Sequence, residues 1–152
     1  MAALRYAIRG FREETRGSAL IETSMAFLLA IPLIFLAFEL CMVTYTQAIL
    51  GDAARTGVRY AIVHGTDSTA CSGPSSGCAD QAGANVVSTV QNYAAASYSP
   101  LSTITVTPTW PDASSAPPSR VNITITYNYQ PFFQNTGFSF AMSATSEGRI
   151  VY

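Results

Sequence analysis

Two carboxylates, Glu22 and Glu39, interrupt the most apolar stretch of the chain, RGSALIETSMAFLLAIPLIFLAFEL, which runs over residues 16–40. An acid in such surroundings either serves a contact or lies at a lipid interface. If a peptidase cut between Gly17 and Ser18, Glu22 would become the fifth residue of the new chain, and the first would carry a free ammonium. A carboxylate in the first turns of a helix is favoured by the macrodipole and can pair with a neighbouring chain's ammonium. In a low-dielectric bundle that pair would set register, because any offset leaves a buried charge without its partner. The alternative for Glu22 is a plain first-turn acid at the lipid interface.

Glu39 is followed by Leu40, Cys41, Met42 and Val43, so it falls inside the apolar segment. An ionised acid there costs about 2.5–3.5 kcal/mol on insertion scales. It could be neutralised, reach toward the outer interface or face a partner helix, and a protein contact is the favoured reading. Seventeen residues place it about 100° around a helix from Glu22. The two acids therefore do not serve one contact on one partner.

Cys71 and Cys78 lie in the Gly/Ser/Pro stretch TACSGPSSGCAD. An oxidising compartment favours a disulfide closing that short loop over a metal site, for which the distant His64 completes no recognisable ligand spacing. Cys41 reads as a small packing residue. His64, the single histidine, reads as a helix-end residue interacting with the dipole. Asn122-Ile123-Thr124 matches a glycosylation pattern but reads as the polar face of a strand. The aromatic group Tyr127, Tyr129, Phe132, Phe133, Phe138 and Phe140 reads as sheet core or subunit interface. No phosphate loop, nucleophile motif or metal cluster is recognisable, so an enzyme, a metal and a cofactor are not expected.

These residues need a scaffold. The chain has 152 residues, of which 11% are charged, with a formal net charge of −1. That balance gives no case for a nucleic-acid partner. All eight basic residues are Arg, and Arg5, Arg9, Arg12 and Arg16 precede the apolar run. The positive-inside rule then puts the N-terminus in the cytoplasm and the remainder outside. Residues 18–45, extended as helix, reach about 42 Å at 1.5 Å per residue. The hydrocarbon core needs about 30 Å, so the segment spans. A removed secretory signal is the competing reading, but its apolar region is shorter and ends in a small-x-small site absent here.

The spacing continues the helix from 46 to 64, with Ala48, Ile49, Ala53, Val58, Ala61 and Ile62 on one side and Asp52, Arg55, Thr56 and Arg59 largely opposite. Pro32 could kink it. Gly65 is a plausible stop, and 66–79 reads as loop. A second helix is predicted over 80–97, with Ala84, Val87, Val90, Gln91 and Ala94 near helical spacing. Period-two alternation then predicts strands over 102–108 and 120–129, and one or two more near the C-terminus, with Glu147-Gly148 as a bulge or bend. The expectation is an α+β chain: a leader (1–17), a transmembrane helix (18–45), an amphipathic extension (46–64) and an outer α+β domain (65–152). That domain would hold a second helix and an antiparallel sheet of three to four strands, onto which the amphipathic extension could pack.

Arg16-Gly17-Ser18 followed by ALIETSMAFLLAIPLIFLAFEL resembles the prepilin-type N-terminus of TadE-like minor pilins or pseudopilins. The shared pattern is a Gly before the cut, Glu at the fifth mature position, a Pro-containing apolar helix and a second Glu near its end. TQAILGDAARTGVRYAI is similar to that family's amphipathic continuation. The resemblance implies a pilin-like fold and a role in assembling Flp-type tight-adherence pili. A prepilin peptidase would cut between Gly17 and Ser18, with Glu22 as the recognition and assembly acid. Ser18 departs from the Phe that many type IV pilins place first, so N-methylation is not carried over. Implied partners are that peptidase, the major Flp-type pilin, other minor pilins, the inner-membrane assembly platform and membrane lipid. The implied location is the bacterial inner membrane, single-pass, with the N-terminus cytoplasmic. The reading from another class is an uncleaved single-span protein that displays a β-rich binding or adhesion domain.

Overall fold

The computed structural model describes residues 2–97, 101, 103–131 and 139–151, with side chains from residue 17 onward. The first helix, α1, spans Ala2–Val63. By its contacts the chain divides into two units, Met1–Cys41 and Met42–Tyr152.

In the first unit the described side chains are almost all exposed. Leu20, Leu28 and Ile34 are each about two-thirds exposed or more, at 70%, 72% and 67%. The few hydroxyls in this stretch turn back on the helix: Thr23 donates to the Ala19 carbonyl at 2.7 Å and Ser24 to the Leu20 carbonyl at 2.8 Å. Their polarity is thereby satisfied within the helix, as lipid surroundings require. Helix continues through Pro32.

In the second unit α1 contributes Ile49, Leu50, Ala53, Ala54, Val58 and Ala61 to a core completed by the second helix and one face of a sheet. The second helix, α2, spans Ala84–Ser97. Strands β1 (Thr105–Thr109), β2 (Arg120–Tyr129) and β3 (Phe140–Arg149) form one antiparallel sheet in the order β1-β2-β3. The α+β expectation holds, with three strands. Alternation on β2 is clean: Val121, Ile123 and Ile125 are buried and their neighbours are not. The small residues of α1 permit close approach. A Cβ added at Gly57 would run into Val90 Cγ2 and come within 2.9 Å of Ile123 Cδ1.

Five details differ from the sequence reading. On α1 the buried stripe includes Leu50 and Ala54, whereas Ala48 is exposed. Helix α2 starts at Ala84 rather than at residue 80, because Gly83 at φ +74° ends the preceding turn. Its buried face is Val86, Val90 and Ala94; Ala84 is exposed and Val87 and Gln91 are half-buried. Strand β1 begins at Thr105 and extends to Thr109. Of that predicted strand, Ser102 lies outside the described residues. The C-terminal strand runs without the expected bulge: Glu147 pairs with Asn122 and Gly148 with Val121 in unbroken register. Gly148 is there for contact with α1, not for a bend.

Candidate functional site

The residues singled out by the sequence lie in two separate places. Gly17, Ser18 and Glu22 are exposed on α1, and Glu39 is half-buried farther along the same helix. Among the described residues, a Cβ at Gly17 would meet nothing within 4 Å. From Gly17 to Val63 the helix is long and apolar enough to cross a membrane: its most apolar 18-residue window has a mean hydropathy of 2.5, and none of that window is buried. An apolar helix with no covered face needs lipid, another helix or both around it.

The other place is the loop after α1. Cys71 and Cys78 are joined in a disulfide with a Cα–Cα distance of 5.2 Å, and both are buried. Ser72, between them, is fully buried and donates to Asp80 Oδ2 at 2.6 Å. Asp80 then caps α2: its carboxylate accepts from the Ala84 N–H at 2.7 Å and the Asn85 N–H at 2.8 Å. Burial alone would push the Asp80 carboxyl up, but the hydrogen bonds from Ser72 and from the backbone of Asn85, Ala84 and Gly83 outweigh it and hold it below its ordinary value. The loop is locked a second way, since Ser75 Oγ accepts from the Ser115 N–H at 3.0 Å and bonds the Ser115 hydroxyl at 2.7 Å. The disulfide expected from the sequence is present, and it sits in a structural staple.

His64 has its Nδ1 2.8 Å from the Tyr60 carbonyl, and its ring stacks on Tyr60 with centroids 3.9 Å apart. Asn122 is half-buried in β2, opposite Thr109 and Glu147. Tyr129 is buried and packs against Phe140, with ring centroids 5.3 Å apart. Phe132, Phe133 and Phe138 lie outside the described residues. Cys41 is exposed on α1.

The sequence reading missed the two charged groups that organise the loops. Asp80 stands at the first position of the predicted helix, and an Asp at a helix start is a capping signal that could have identified it. Asp112 bonds Arg120 three times: to the backbone N–H at 2.8 Å, to Nε at 3.3 Å and to Nη2 at 2.9 Å. The Arg120 side chain and its backbone N–H, donating these bonds, hold the Asp112 carboxyl below its ordinary value. The two are eight positions apart across a turn, and no local pattern announces the pair.

Compared with known families, residues 17–59 match the family model described as TadE-like protein. No curated protein and no solved structure matches the chain at a significant level. The matched span covers the exposed apolar part of α1 and most of its amphipathic continuation.

Proposed function

We propose, on the strength of the TadE-like match over residues 17–59, that this chain is a minor pilin or pseudopilin that supports assembly of a Flp-type pilus and performs no catalysis. The observation that carries this reading is the exposed apolar part of α1 from Gly17 onward, with Glu22 at the fifth position counted from Ser18. A prepilin peptidase would remove residues 1–17. The mature helix would stay in the inner membrane with the second unit outside, an orientation supported by the four Arg residues before the apolar run.

Assembly would then proceed by lateral packing of that helix against pilin helices. Glu22 would set the register by pairing with a neighbour's N-terminal ammonium, and Glu39 would mark a second, differently oriented contact. Partners would be the major pilin, other minor pilins and the assembly platform. The test is pilus formation in cells lacking the protein, complemented with wild type or with Glu22→Ala. Loss of pili on deletion, restored by wild type alone, supports the reading. Normal pili in the deletion strain would overturn it, and an uncleaved display module would take its place.

A further inference from the structure

The two edges of the sheet are finished differently. In an antiparallel ladder the N–H and C=O of successive residues point alternately to the two sides of the strand. On β3 the even-numbered residues face β2, a phase continued by Ile150, whose N–H donates to the Ser119 carbonyl at 2.9 Å. The odd-numbered residues face outward. Ser143 accepts there from Gln47 Nε2 at 3.0 Å, and Val151 donates there to the Ile62 carbonyl at 3.1 Å. Helix α1 thus closes both ends of this edge. Between them Thr145, Glu147 and Arg149 present N–H and C=O groups without a hydrogen-bond partner among the described residues, and all three side chains are exposed.

The edge at β1 offers far less. Its register with β2 turns Thr105, Thr107 and Thr109 inward, leaving Val106 and Pro108 outward. Pro108 has no N–H to donate, a common means of blunting an edge strand. The β3 edge carries no proline. Its charges are only partly balanced: Arg149 lies near Asp112 and Glu147 near Arg120, without ion-pair contact. Arg149 stands directly opposite Arg120, a like-charge arrangement that costs stability across a ladder. Both Asp112 oxygens are already engaged by Arg120, and Arg149 makes no ion pair among the described residues.

We infer that the outer edge of β3 at Thr145, Glu147 and Arg149 is a strand-addition site for an extended segment of a different protein, one that sets an acidic side chain opposite Arg149. The main-chain groups would supply affinity and the charge specificity, as in other strand-addition complexes. Self-pairing of two copies is the rival occupant: run antiparallel, it would match Glu147 with Arg149 of the other copy, and the disulfide variant below reports it. The inference needs the chain to be membrane-anchored but does not need residues 1–17 to be removed.

The experiment is amide hydrogen exchange on the full-length protein, in membranes of producing cells and after purification in detergent, read on peptides covering residues 143–151 and 103–111. In membranes, exchange over 143–151 should slow on the order of tenfold while 103–111 is unchanged. Arg149→Glu should abolish the slowing and leave exchange of the purified protein as in wild type. Equal exchange in the two preparations, equal slowing of both peptides, or slowing that survives Arg149→Glu would each overturn the inference. A Glu147→Cys, Arg149→Cys variant that forms a 147–149 disulfide between two copies would overturn it too, assigning the edge to self-association.

Discussion

Gly148 and Val58 meet where β3 passes beneath α1: a Cβ on Gly148 would stand 2.5 Å from Val58 Cγ1 and 2.7 Å from Ile62 Cδ1. The two elements approach this closely because one of them has no side chain at the crossing. Gly148→Ala forces Val58 and Ile62 aside in a packed core and should cost about 1–3 kcal/mol, the usual range for overpacking. Urea unfolding of the purified protein measures it; an unchanged midpoint would show that the helix can lift at no cost.

Asp80 ties the disulfide loop to the start of α2, so Asp80→Ala should remove about 1 kcal/mol, as loss of a helix cap does. Because the folded carboxyl lies below its ordinary value of 3.8, its contribution is present above that value. It is lost as the pH falls through the lower, folded value. Wild type should therefore lose its advantage over Asp80→Ala only below about pH 4. A constant difference between the two proteins down to pH 2 would contradict this assignment.

The disulfide closes a loop with a sequence separation of 7 between Cys71 and Cys78. By the chain-entropy estimate, a loop this short stabilises by about 2–3 kcal/mol. Replacing both cysteines with Ser should lower the unfolding midpoint accordingly and speed hydrogen exchange at the first turn of α2, through the link from Ser72 to Asp80. A lowered midpoint with unchanged exchange at 84–87 would separate the staple from the cap.

Strong local periodicity made much of this fold legible in the sequence. The alternation of RVNITITYNY placed β2 on its observed bounds, and the apolar run over 18–45 announced a helix that needs an external partner. Several of the misses were decided by residues distant in sequence. Gly148 reads locally as a bend, yet its role comes from Val58, ninety residues earlier. The buried stripe of α2 was misplaced because Ala-rich helices offer several near-equal faces, and the choice of Val86 over Val87 is made by the sheet below. The Asp112–Arg120 pair bridges a turn whose path no residue pattern specifies.

On the candidate site, type and spacing went further than geometry. Gly17, Ser18 and Glu22 were found by their order along the chain, and the structure adds that they are exposed. Glu22→Ala should leave the protein in the membrane and reduce piliation at least about tenfold, the loss expected when a buried charge pair of several kcal/mol is broken. Quantitative shearing of cell-surface pili reads this. Piliation equal to wild type would reduce Glu22 to an interfacial acid.

The most direct test of the proposed function is the N-terminal residue of the membrane-bound protein, read by mass spectrometry from cells with and without a prepilin peptidase. The account predicts a chain beginning at Ser18 when the peptidase is present and an intact leader when it is absent. Residues 1–17 retained in both would contradict it.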